Sequence, residues 1–211
     1  MAFKVTDRKD WVVHVLRPAG RLCLSPFFRV CIRGLDRLPA TSAFVLLVKH
    51  QRWEDIPLLG LSVPQPLFYV AKVELFRVAP VRWLLASLGG IPLNRQRPLE
   101  SRRFLKRIVE HLQQGEGVVI FPEGTYHRDR MGPGRVGLVR MVLSKTTPPF
   151  VPVGVRYRRR VRASVEIRFG RPSFPEPSED PQSFLDRMMM EIARLSGLSG
   201  EGGKSIGTQE A

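Results

Sequence analysis

Short, uninterrupted apolar runs recur along the chain: AFVLLV at 43–48, FYVA at 68–71, VVIF at 118–121 and FVPVGV at 150–155. A strand covered on both faces has no polar side to present, so such runs suit the inner strands of a parallel sheet. Helix-length stretches lie between them, at roughly 53–61, 74–88, 98–114 and 134–145. Strand and helix in alternation predict an α/β fold: a single domain with a central, mostly parallel sheet flanked by helices. Two segments alternate apolar with polar instead. FFRVCIRG at 27–34 reads as a partly exposed strand, and SVEIRF at 164–169 as a strand at the sheet edge. A last helix is predicted over about 180–196, and the Gly- and Ser-rich residues 197–211 are expected to form a disordered tail.

Ahead of the domain, residues 9–24 have helical periodicity. Trp11, Val12, Val15, Leu16, Ala19, Leu22 and Cys23 share one face, and Asp10, His14, Arg17 and Arg21 the other. Pro18 is expected to kink this helix. Its neighbouring cations Lys4, Arg8, Lys9, Arg29 and Arg33 suit an interfacial anchor with an apolar face in lipid and arginines at the headgroups. The competing reading is a helix packed on its own domain. The expected organisation is therefore an amphipathic membrane-surface helix over 1–27, a folded domain over 28–196 and the tail.

Charge narrows the partners without choosing among them. With 34 Lys and Arg against 19 Asp and Glu, the chain carries +15, which favours anionic lipid, an acidic protein or nucleic acid. A basic nucleic-acid-binding module is weakened by the dispersal of the cations and the lack of any binding signature. Cys23 and Cys31 have no zinc or redox spacing and read as buried thiols in a reducing compartment. No leader pattern opens the chain and no apolar run approaches the roughly 20 residues that span a bilayer, so the expected location is peripheral, on the cytoplasmic face of a membrane.

Three pieces carry chemistry. In KHQRWEDIP, His50 follows a buried strand and Asp55 comes five residues later. On one unbroken helix residues five apart point in different directions, but Pro57 is tolerated only in a first turn, so the helix starts near Asp55 and leaves His50 outside. The two side chains then meet across a turn, where a carboxylate on one imidazole nitrogen leaves the other free to take a proton. The second piece, FPEGTYHRD, follows the strand at 118–121, where α/β sheets bind ligands. Gly124 permits close backbone approach, and Glu123 and Thr125 offer an acceptor and a hydroxyl to a polyol. Third, Lys72 and Arg95 end two strands on the same rim and suit an acceptor phosphate.

Four blocks in this order, HQRWED, GGIPLNR, FPEGT and VPVGV, with KVEL ahead of the second, make the chain resemble the 1-acylglycerol-3-phosphate (lysophosphatidate) acyltransferases among the glycerophospholipid acyltransferases. The resemblance implies direct transfer of a fatty acyl group from acyl-CoA or acyl carrier protein to the hydroxyl of 1-acylglycerol-3-phosphate, giving phosphatidate. It implies His50 as base, Asp55 as its partner, Arg95 and Lys72 on the phosphate, and Glu123, Gly124 and Thr125 on the glycerol. It implies no metal or organic cofactor. Asn94, Tyr126 and Lys49 depart from the family's commoner residues, which puts the acceptor in question: glycerol-3-phosphate or another lyso-lipid remains open. His14 and His111 read as structural or solvated, and His127 as a lesser substrate contact. RYRRRVR at 156–162 reads as a hairpin turn, with docking of an acidic carrier or headgroups as the alternative. LFRVAPVRWLLASLGG fits either core or an acyl-chain groove.

Overall fold

A computed structural model describes residues 8–40, 42–94, 98–158 and 162–198, without the side chains of 98–105. The strands are β1 (Phe28–Arg33), β2 (Phe44–Val48), β3 (Leu67–Lys72), β4 (Gly90–Leu93), β5 (Gly117–Ile120), β6 (Phe150–Arg158) and β7 (Ala163–Phe169). They form one sheet in the order β1-β7-β6-β2-β5-β3-β4. All pairings are parallel except β6 with β7, an antiparallel hairpin whose tip, 159–161, lies outside the described residues. The helices are α1 (Asp10–Leu24), α2 (Asp55–Ser62), α3 (Ala79–Ser87), α4 (Pro98–Gln113), α5 (Gly137–Leu143) and α6 (Pro181–Ser196).

The apolar runs are covered on both faces, as their lack of a polar side requires. In β2, Val45 and Leu47 join a core with α4, α5 and α6, while Phe44, Leu46 and Val48 join a second core with α2 on the other face. Each such side chain contributes about 1.5–3 kcal/mol of burial, which makes this strand the rigid centre of the sheet. Its carboxyl end carries the residues described below.

Three expectations are corrected. The SVEIRF strand is not at the edge: β7 lies between β6 and β1, and β1 supplies the outer edge with its side chains largely exposed. The alternation in β7 records one partly open face and not an unpaired side. The stretch 74–88 is not one helix but a short 3-10 turn, Val73–Phe76, followed by α3. Pro80 in the first turn of α3 and the extended Val78 before it separate the two. Cys23 and Cys31 are both exposed rather than buried, because they sit on the outer faces of α1 and β1. Residues 199–211, most of the expected tail, lie outside the described residues.

α1 is tied to the protein by an arginine: the Arg17 guanidinium donates to the carbonyls of Val63 at 2.6 Å and Pro64 at 2.5 Å, closing the C-terminal end of α2. Only Val12 and Val13 are buried from this helix, while Trp11, Val15 and Leu22 are 61%, 60% and 76% exposed. Trp11 meets Trp83 of α3 with ring centroids 6.5 Å apart, and Val78 and Val81 are exposed beside it in sequence.

Candidate active site

Lys49 follows β2 and still donates its backbone N–H to Val153 of β6, so His50 leaves the sheet from a fixed point. The chain then turns, and α2 opens at Asp55 with Pro57 in its first turn, as proline chemistry demands. Asp55 is 1% exposed and fully engaged. Its Oδ2 accepts from the backbone N–H groups of Gln51 at 2.6 Å and Arg52 at 2.8 Å, and lies 3.2 Å from His50 Nδ1. Its Oδ1 accepts from the Tyr157 hydroxyl at 2.6 Å. Four donors and the amino end of a helix converge on this carboxylate. With a proton on Nδ1 the imidazole donates to this carboxylate, which leaves the Nε2 lone pair as the basic site.

The imidazole is clasped by rings. Phe121 stacks on it at 4.0 Å between centroids, and Tyr126 tilts against it at 4.4 Å. His50 is buried, 8% exposed, at the carboxyl end of β2 beneath Tyr126, which is 51% exposed.

Glu123 has a different setting from the open one its motif suggested. It is 1% exposed, and both carboxylate oxygens receive the Lys49 ammonium, at 2.8 and 2.7 Å. Oε2 also accepts from the His50 N–H at 3.1 Å, and Oε1 from the Gly132 N–H at 2.6 Å. Lys49 donates as well to the His127 carbonyl at 2.7 Å. Burial lowers the Lys49 pKa from the ordinary lysine range, with the bond to Glu123 opposing that shift. This pair ties the exit of β2 to the loop after β5, and it occupies the oxygens a polyol would need.

That loop wraps the site. Gly124 takes a φ of 70° as the chain reverses, which a side chain would strain. Thr125 is exposed next to it. His127 donates its N–H to the His50 carbonyl at 2.9 Å, and Asp129, at a φ of 54°, donates its N–H to the Gln51 side chain at 3.1 Å. Gln51 in turn donates to the Val155 carbonyl at 2.6 Å. Lys72 is exposed at the carboxyl end of β3, and the parallel pairing of β2, β5 and β3 puts that end on the rim of His50 and Glu123. Arg95 lies outside the described residues. Elsewhere, His111 pairs with Glu116 at 2.7 Å and stacks on Phe68, and His14 approaches the Asp10 carbonyl, both structural settings. Among the described residues, no group of three or more His, Cys, Asp or Glu side chains is arranged to hold a metal ion.

Sequence reasoning passed over Tyr157, Gln51 and the partner role of Lys49. Tyr157 lay inside a segment read for its arginines, and only the register of β6 beside β2 brings it to Asp55.

A family profile described as Acyltransferase matches residues 29–156. The chain belongs to the acyltransferase family. Within it, the chain is 34% identical over 134 residues to a chloroplastic 1-acyl-sn-glycerol-3-phosphate acyltransferase of Brassica napus, covering 63% of this chain and 38% of that one. It is 36% identical over 97 residues to the 1-acyl-sn-glycerol-3-phosphate acyltransferase of Bacillus subtilis, covering 46% and 48%. A lyso-ornithine lipid O-acyltransferase of Pseudomonas aeruginosa is 36% identical over 107 residues, covering 50% and 39%. The chain thus spans less than half the length of each of these relatives. In fold it is similar to the 1-acyl-sn-glycerophosphate acyltransferase PlsC of Thermotoga maritima, with a TM-score of 0.72 at 20% identity over 92% of this chain and 83% of that one.

Proposed function

We propose that this acyltransferase-family chain transfers a fatty acyl group from a thioester donor to the hydroxyl of 1-acylglycerol-3-phosphate at a membrane surface, forming phosphatidate. The observation that carries the reading is the His50–Asp55 pair at the sheet rim, with Nδ1 held by a buried carboxylate and Nε2 left to work. His50 Nε2 removes the acceptor's hydroxyl proton as the oxygen attacks the thioester carbonyl. Asp55 stabilises the imidazolium, which then returns the proton to the departing thiolate. No acyl-enzyme is needed. Proton transfer of this kind is worth about 10²- to 10⁴-fold in rate. Lys72 and Arg95 bind the phosphate and Gly124 and Thr125 line the glycerol, while Glu123 holds His50 and the surrounding loop. The donor is acyl-CoA or an acyl carrier protein; the exposed Arg128, Arg130 and Arg135 beside the site suit either anion.

The surface formed by Trp11, Val15, Leu22, Val78, Val81 and Trp83 supports peripheral docking on anionic lipid at the cytoplasmic face, since α1 is held by its arginines with its apolar side turned out. No described helix is long and apolar enough to cross a membrane. A lyso-amino-lipid acceptor is the second reading, favoured by the likeness to the lyso-ornithine lipid enzyme.

Thiol release from palmitoyl-CoA or palmitoyl-carrier protein, with a panel of lyso-acceptors, tests the proposal. Turnover with 1-acylglycerol-3-phosphate is expected, with loss of about 10²-fold or more in His50→Ala and an unchanged circular dichroism spectrum. Full activity of His50→Ala would remove the mechanism, and turnover only with amino-lipid acceptors would select the second reading.

A further inference from the structure

We propose that Tyr157, through its hydroxyl on Asp55, is a positioning residue for the His50 base. The hydroxyl donates to Asp55 Oδ1 at 2.6 Å, opposite the oxygen that faces His50 Nδ1 at 3.2 Å. Two backbone donors and the imidazole share Oδ2, so without Tyr157 the other oxygen loses its side-chain partner. Such a carboxylate turns more freely and draws the Nδ1 proton more strongly. Tyr157 therefore sets both the orientation of the acid and how much of its charge falls on the imidazole.

The placement is built. Tyr157 sits near the end of β6, across from Val165 of β7, and its ring is covered by the Arg52 guanidinium at 4.6 Å. Burial, then the Asp55 charge, raises the pKa of its hydroxyl well above the ordinary tyrosine range, so it stays a donor wherever histidine titrates. Other charged or titratable groups around this cluster are Lys49, Arg52, Glu54, Glu123 and Tyr126. Tyr157 lies one residue beyond the stretch that the family profile matches, 29–156.

The inference rests on the acyl-transfer reading for its catalytic consequence, and its test separates the two. In Tyr157→Phe, NMR titration of the His50 ring nitrogens is expected to move its midpoint up by about half a unit, because the carboxylate gives more support to the imidazolium. Thiol release is expected to lose about tenfold in kcat with little change in acceptor KM, its acid limb moving the same way. Replacing Tyr157 by 3-fluorotyrosine keeps the hydroxyl and the packing but strengthens the donor, and is expected to move the midpoint down; this variant decides the matter if Tyr157→Phe does not fold. An unmoved His50 midpoint in both variants overturns the inference, including the case where only the melting temperature falls. Absence of thiol release in the unaltered protein would count against the acyl-transfer reading and leave the titration result standing.

Discussion

Replacing Lys49 by Met tests whether the Lys49–Glu123 pair holds the catalytic rim together. Neither side chain is exposed, and both carboxylate oxygens lie within 2.8 Å of the ammonium. Removing the cation strands a buried carboxylate whose remaining donors are the backbone N–H groups of His50 and Gly132. Breaking one side of such a pair costs about 3–5 kcal/mol. For a chain of this size each kcal/mol lowers the melting temperature by about 2–4 °C, so a fall of about 6–20 °C is expected. Met keeps the stem's volume, which confines the effect to the charge. The double variant Lys49→Met/Glu123→Gln removes both charges and is expected to recover most of that loss, returning to within about 2 kcal/mol of the unaltered protein. Its turnover is expected to stay down by about tenfold, because a neutral amide holds the loop less firmly. Urea denaturation of the four proteins gives the cycle, and thiol release reads the site. A single variant costing under about 1 kcal/mol, or a double variant as unstable as the sum of the singles, would refute the reasoning.

Two further outcomes follow from the surface and from buried hydroxyls. Trp11→Ser/Trp83→Ser is expected to weaken flotation with anionic phosphatidylglycerol vesicles by about tenfold or more while leaving the melting temperature nearly unchanged, since both rings face outward; unchanged flotation would remove these helices from the membrane surface. Tyr69 and Tyr157 are both raised above the ordinary tyrosine range by burial, so the folded state keeps protons that the unfolded chain releases near pH ~10. That contribution is fully present below about pH 10 and is lost as pH rises further, by up to about 1.4 kcal/mol per pH unit for each tyrosine. Urea midpoints measured between about pH 8 and 11 should decline above 10, and less so in Tyr69→Phe.

Much of this architecture was legible because burial leaves a plain mark on a parallel sheet. A strand such as Phe44–Val48, covered on both sides, has no polar residue to spare, and Pro57 restricts where the next helix begins. The His50–Asp55 meeting follows from those two local facts. Strand order is set by side-chain fit between distant segments, which is why β1 as the outer neighbour of β7 had no signature in either stretch. Long-range polar pairing was hidden for the same reason. Lys49 and Glu123 are 74 positions apart, and Asp55 and Tyr157 are 102 apart. The lysine directly after one buried run stood out only as a departure from the family's commoner residue, and the glutamate after another as an acceptor for a polyol. Only the parallel adjacency of β2 and β5 turns them into partners.

The two braces act on His50 from different sides and through different atoms. Glu123 accepts its backbone N–H and, with Lys49, ties down the chain on which the residue is carried. Asp55 meets its ring nitrogen and is itself aimed by Tyr157. A base that must meet a hydroxyl within hydrogen-bond reach gains little from basicity if its ring can swing, so fixing the backbone and the ring separately is what converts an ordinary histidine into a directed one. The brace through Glu123 should therefore show itself mainly as stability and the brace through Tyr157 mainly as titration. If Lys49→Met shifted the His50 titration as strongly as Tyr157→Phe, the two would be one coupled network, and neither residue would have the separate role argued for it.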